Sequence, residues 1–198
     1  MSVIRAFIAI EIPPAIHAQL DHISQELRSQ TKTWAIHWVA VNNIHLTLKF
    51  LGEVPSTNLD LLTRSLNREV AKHSTFEINV GGLGAFPSIR RPRVIWIGIE
   101  APSGLYALQK GIDAETLRLG YQTDERGFSP HLTLARLSQN ASPDEIRQIS
   151  EVLMNDKVGR LGTFKAEALR LFKSDLLPSG AVYTPLFTTA LNPPPANV

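Results

Sequence analysis

The sequence predicts an α+β fold of two intimate lobes that share a cleft. Three observations lead there. Helical and strand-like periods alternate without the regular spacing of parallel units, no linker-like segment divides the 198 residues, and one short motif occurs twice. A chain of this length hides roughly 70% of its unfolded surface, enough for a sizeable core.

Residues 3–11 read as a buried strand around Ala6-Phe7-Ile8-Ala9-Ile10, and 14–28 as an amphipathic helix opened by Pro14, whose fixed φ suits a first turn. Residues 34–40 lead into Asn42-Asn43, and 44–51 form a strand rich in Leu, Ile, Phe and Thr that ends at Gly52. A helix over 57–72 and a strand over 75–80 follow, with Gly81-Gly82-Leu83-Gly84 read as a loop. The run Val94-Ile95-Trp96-Ile97-Gly98-Ile99 is a strand, 105–119 has helical spacing, and 121–129 is a polar segment. A strand at 130–137 and a helix at 143–154 precede two extended stretches, 162–173 and 181–191, which read as a hairpin turning at Pro178-Ser179-Gly180. The chain is expected to be one domain, 1–198, with a flexible tail at 192–198 around Pro193-Pro194-Pro195.

Composition narrows the chemistry. Hydrophobic residues make up 43% and charged residues 19%, far from the signature of a disordered chain. The absence of cysteine removes disulfides, thiolate nucleophiles, cysteine-ligated zinc and iron–sulfur clusters. No apolar stretch approaches a membrane span and no secretory leader is visible, so the expectation is a cytoplasmic protein that begins near Met1 and has no membrane partner. A net charge of +2 argues against wrapping a long duplex, although a local basic groove still fits an RNA end.

The informative signal is His45-Leu46-Thr47-Leu48, which returns as His131-Leu132-Thr133-Leu134. On a strand, His and Thr share one face while both leucines take the other. Two such strands across a cleft would give a pair of imidazoles, one neutral to accept a proton and one protonated to donate it, with threonine hydroxyls to hold phosphoryl oxygens. That set fits phosphodiester chemistry with neither metal nor cofactor. Two other readings stand beside it: half-buried strand histidines with satisfied hydrogen bonds, and a zinc site, which the scarcity of Asp and Glu beside both motifs disfavours.

The blocks Arg5 to Ile10, Trp38-Val39 before Asn42-Asn43-Ile44-His45-Leu46-Thr47-Leu48-Lys49-Phe50-Leu51-Gly52, and Arg126 to Arg136 around the second motif resemble the two-histidine phosphoesterases, and within them the RNA 2′,3′-cyclic phosphodiesterases once called 2′-5′ RNA ligases. The resemblance spans nearly the whole chain. It implies a pseudo-symmetric two-lobed fold with antiparallel sheets around a central cleft and outer helices. It also implies hydrolysis of a 2′,3′-cyclic phosphate on RNA, tRNA fragments being one source, to a 2′-phosphate by a monomeric enzyme. By that likeness His45 is the general acid toward the departing 3′ oxygen and His131 the base toward water. Thr47, Thr133 and Arg136 bind the phosphate, and Phe50 and Phe128 are candidates to stack on the terminal base.

Strict alternation places Arg136 on the leucine face, so its participation requires a bulge or a strand end. Lys49 falls on the predicted face of His45 and Thr47, while Arg90, Arg91, Arg93 and Arg126 read either as RNA contacts or as solvated cations. His37 stands where the family often carries a basic residue. His17, His22 and His73 read as surface residues of helices. Alternatives to hydrolysis of RNA ends are 2′-5′ ligation, cleavage of small cyclic nucleotides and noncatalytic binding of RNA ends.

Overall fold

The computed structural model describes residues 2–178 and 180–194. Among these residues nine strands and four α-helices follow in order: β1 Val3–Ile10, α1 Pro14–Gln30, β2 Ile36–Trp38, β3 Leu46–Pro55, α2 Leu59–Val70, β4 Phe76–Ser88, β5 Arg91–Glu100, α3 Ser103–Arg118, β6 His131–Leu137, α4 Pro143–Asn155, β7 Arg160–Ala166, β8 Ala168–Leu177 and β9 Gly180–Ala190. They build two antiparallel sheets, one in the order β3-β1-β8-β9 and the other β2-β6-β5-β4-β7. The expected α+β, two-lobed architecture is the one observed.

The sheet orders contain an approximate twofold relation. Replacing β3-β1-β8-β9 by β6-β5-β4-β7 keeps every neighbour antiparallel. In this correspondence β4 of the first half lies in the second sheet and β8 of the second half in the first, so the halves exchange strands and bury one continuous core. No linker is needed because neither sheet is complete without the other half.

That core contains Ile8 and Ile10 of β1, Leu46 and Leu48 of β3, Ile95 and Ile97 of β5 and Leu132 and Leu134 of β6. Packed with them are Leu20 of α1, Leu62 and Leu66 of α2, Leu108 and Ile112 of α3 and Ile149 of α4. The helices therefore cover the leucine faces of the motif strands and leave the opposite faces to the cleft. A one-residue slip of both motif strands would expose four leucines, at about 1.5–3 kcal/mol each, and bury two histidines and two threonines. The hydrophobic pattern thus fixes which way the polar dyads point. α4 is anchored by a capping box in which Ser142 accepts from the Glu145 backbone and Glu145 reaches back to the Ser142 N–H.

Two sequence expectations differ from the fold. Gly81-Gly82-Leu83-Gly84 is a bulged stretch inside the long strand β4, with a register break between Val80 and Leu83 opposite β5. These glycines serve close approach: a Cβ on Gly84 would enter the indole of Trp96, and one on Gly81 would meet the Gly159 carbonyl oxygen. The stretch 162–173 is two strands in different sheets, β7 beside β4 and β8 beside β1, and only β8 forms the hairpin with β9. Both strands are antiparallel and amphipathic, so periodicity alone does not reveal the sheet change at Glu167.

Ser179 of the hairpin turn and residues 195–198 of the expected tail lie outside the described residues. Asn192, the first residue assigned to that tail, donates its backbone N–H to His73 O at 3.0 Å and accepts from Thr75 N at 2.8 Å. No helix among the described residues is long and apolar enough to cross a membrane.

Candidate active site

Between the sheets lies a cleft of about 990 Å³ whose lining includes His45, Thr47, Phe50, Phe128, His131, Thr133 and Arg136. All seven residues singled out in the sequence meet there. The first sheet supplies His45, Thr47 and Phe50, and the second His131, Thr133 and Arg136. Phe128 comes from the polar segment that leads into β6.

Each histidine precedes or opens its strand and bonds to the backbone two residues earlier. His45 Nδ1 donates to the Asn43 carbonyl at 2.7 Å, and His131 Nδ1 donates to the Ser129 carbonyl at the same distance. A carbonyl only accepts, so Nδ1 carries the proton in both rings and the neutral tautomer leaves Nε2 as a free base. The segment behind His45 is fixed from two sides: His17 Nε2 donates to Ile44 O at 3.1 Å, and Asn43 Nδ2 donates to Ala181 O at 2.7 Å. His17 therefore has a structural task, unlike the solvent-facing His22, which pairs with Glu26.

The rings rest on aromatic floors. Phe7 stacks on His45 with centroids 4.5 Å apart, and Tyr183 meets it edge-on at 5.2 Å. His131 meets Phe86 edge-on at 4.9 Å, with Trp96 at 6.3 Å. Burial in this setting lowers His45 to about 4, against the weaker raising effect of its bond to Asn43. His131 is also lowered, first by burial and further by the charge of Arg136, with its bond to Ser129 opposing. Burial pushes the Tyr183 phenol up, while Arg136 and Arg5 pull it back.

A matched pair of bulges completes the geometry. On β3, Thr47 lies opposite Ala9 and Lys49 opposite Ile8, so Leu48 is the extra residue. On β6, Thr133 lies opposite Trp96 and Ala135 opposite Ile95, so Leu134 is the extra residue. Each bulge leaves two successive residues buried, Leu48-Lys49 and Leu134-Ala135, and returns the next, Phe50 or Arg136, to the exposed wall of the cleft. Strict alternation put Arg136 on the leucine face; the bulge removes that conflict.

The same device moves Lys49, which the period placed beside His45. It is buried, donating to Asp113 Oδ1 at 2.6 Å and to the Gln122 carbonyl at 2.7 Å at the edge of the cleft. Phe50 is 66% exposed, a free aromatic face at the cleft wall. Phe128 is partly buried and meets Tyr106 edge-on at 5.9 Å, so it is held as part of the wall. Neither Thr47 nor Thr133 directs its hydroxyl to a partner among the described residues. Arg126 forks onto Asp124, which draws that carboxyl down to about 2. His37 faces Arg136 across the β2–β6 ladder, and His73 bonds Glu69 well away from the cleft.

Sequence reasoning missed Phe7, Tyr183, Trp96 and Arg5. The first three sit in strands where an aromatic reads as core, and no spacing links them to the motifs. Among the described residues no group of three or more His, Asp or Glu side chains is placed to hold a metal ion.

Two antiparallel sheets, each offering a histidine and a threonine from equivalent bulged strands to one cleft, define a duplicated phosphoesterase. A family model described as LigT-like phosphoesterase matches residues 10–96 and again 97–183, each match holding one motif. The chain belongs to the LigT-like phosphoesterase family. Relatives named RNA 2′,3′-cyclic phosphodiesterase include that of Methanothermobacter thermautotrophicus, 30% identical over 91% of this chain and 95% of the relative. That of Methanocaldococcus jannaschii is 33% identical over 90% and 96%. Among solved structures, a Thermus thermophilus protein superposes with a TM-score of 0.78 at 28% identity, covering 96% of this chain and 98% of the other. Escherichia coli LigT complexed with 3′-AMP gives 0.75 at 27% identity over 96% and 99%.

Proposed function

We propose that this phosphodiesterase hydrolyses RNA ends carrying a 2′,3′-cyclic phosphate to 2′-phosphate ends, without a metal, by acid–base catalysis between His45 and His131. One observation carries the reading: each sheet presents an imidazole with Nδ1 tied to a backbone carbonyl, Nε2 free, and an unengaged threonine hydroxyl two residues on. Its relatives named RNA 2′,3′-cyclic phosphodiesterase support the same class of substrate.

In the reaction, His131 Nε2 takes a proton from water as the water oxygen bonds to phosphorus. The phosphorus–O3′ bond breaks, and His45 Nε2 delivers its proton to O3′, leaving the phosphate on O2′. Thr47, Thr133 and Arg136 hold the nonbridging oxygens, where donors aimed at developing charge contribute most. Phe50 and Phe128 flank the terminal base. The charge of Arg136 favours a neutral His131, as a base requires. His45 is neutral near pH 7 in the free protein, and the bound phosphodiester anion supplies the charge that stabilises its imidazolium. The same reading makes the protein a cytoplasmic monomer that acts on free RNA ends, tRNA fragments among them, with no membrane partner.

The test is a cyclic-ended RNA incubated with the protein in excess chelator, followed by end-group analysis. The expected product is a 2′-phosphate, with His45→Ala and His131→Ala each slowing turnover about 10²–10⁴-fold while the circular dichroism stays native. Unchanged turnover in either variant defeats the paired roles, and loss of all activity in chelator defeats the metal-free step. A 2′-5′ joined product would reassign the protein as a ligase.

A further inference from the structure

Beyond the cleft, the end of the second sheet where β6 stops gathers cations without carboxylate partners. Arg90 and Arg91 lie at the tip of the β4–β5 hairpin and are exposed, as are Arg93 and Lys32. None of these four takes part in an ion pair among the described residues. Several other cations already have carboxylates: Arg126 pairs with Asp124 at 2.7 Å, Lys49 with Asp113 at 2.6 Å and Lys173 with Asp175 at 2.9 Å. Of the cations lining the cleft, Arg5 and Arg136 have no ion pair among the described residues, and Arg136 lies on β6, the strand that ends at this surface.

The same end carries Trp34, which is 97% exposed. An indole this free of the protein gains nothing for the fold. Its position is set, however, by the bonds around it. Ser138, just past β6, donates its N–H to Ala35 O at 2.7 Å and accepts from Arg93 Nη1 at 3.0 Å, tying the Trp34 turn and the arginine hairpin to one strand end. Thr33 donates to Glu145 at 2.6 Å, which holds the turn from the other side. Between this surface and the cleft stands the cross-strand pair His37 and Arg136, and Arg136 itself lines the cavity.

We infer that this surface is a track for the single-stranded RNA body upstream of the end held in the cleft, with Trp34 stacking on a base and the hairpin arginines meeting phosphates. A positively charged path continuous with the site, combined with one free aromatic face, is the chemistry that binds single strands with little sequence preference. The inference rests on the proposed RNA-end reading and deepens it. It makes an oligonucleotide, rather than a small cyclic nucleotide, the substrate for which the surface is built.

The experiment compares a 2′,3′-cyclic mononucleotide with a cyclic-ended hexanucleotide in the wild type, Trp34→Ala, and the Arg90→Ala/Arg91→Ala double variant. Both changes alter exposed side chains. The expected result is a loss of roughly fivefold or more in kcat/KM for the hexanucleotide, shrinking as salt rises, with the mononucleotide unchanged. Equal losses on both substrates, or no loss on either, overturn the track. If the wild type turns over neither substrate, the catalytic reading fails by itself. The track is then decided by fluorescence anisotropy of a labelled hexanucleotide, whose affinity must fall in both variants; unchanged affinity overturns it.

Discussion

His45 carries a stability cost that only pH reveals. In the unfolded chain its imidazole titrates near 6.5, whereas burial against Phe7 and Tyr183 holds the folded value at about 4. Between those values the unfolded state binds a proton that the native state refuses, so stability falls as pH drops through this window and is insensitive to His45 above it. The full effect is at most roughly 3 kcal/mol for this shift. His131 is displaced in the same direction and adds to the slope. Urea unfolding at pH 7 and pH 5 should therefore show a smaller loss of stability in His45→Gln than in the wild type. Equal losses would mean that the ring is not held neutral by burial. The sequence made the histidine visible but not its environment, because Phe7 and Tyr183 reach it from strands remote in sequence.

At the scale of elements, the glycine-rich part of β4 sets the floor under His131. Gly84 pairs with Trp96 across the ladder, and the indole occupies the space a side chain at Gly84 would need. Gly84→Ala should displace Trp96, lower stability by about 1–3 kcal/mol through overpacking, and shift the tryptophan emission. A native melting temperature together with unchanged emission would show that the strand accommodates the methyl freely. Read along the chain, four residues with three glycines look like a turn. Across the sheet they are a place where strand and indole approach closely, and only the partner strand shows that. The bulges at Leu48 and Leu134 were equally hidden. The leucine and threonine alternation was correct up to them, and the ladder geometry beyond them exposed Arg136 in the cleft and buried Lys49 at its edge.

For the whole molecule, the exchange of β4 and β8 makes the halves interdependent, and Lys49 fastens them at the cleft. Its buried ammonium joins β3 of the first half to Asp113 on α3 of the second, with Gln109 Nε2 bonding the other carboxylate oxygen at 2.7 Å. Lys49→Met leaves Asp113 with no cationic partner and should destabilise the fold by about 3–5 kcal/mol. Adding Asp113→Leu should recover most of that, because a desolvated pair contributes far less than an orphaned charge costs. Thermal unfolding of the single and double variants decides the matter: equal stabilities would deny the pair its role in joining the halves.

By itself the sequence determined the alternation of elements, the four helices and the two dyads with their leucines turned inward, because these follow from local period and the free energy of burying apolar side chains. It also carried the family, through blocks surrounding both motifs. Only the tertiary structure decided which strands share a sheet, where the ladder slips by one residue, and which aromatics floor the histidines. Those features depend on pairing between segments distant in the chain, and one strand's own residues hold no record of its neighbour's register.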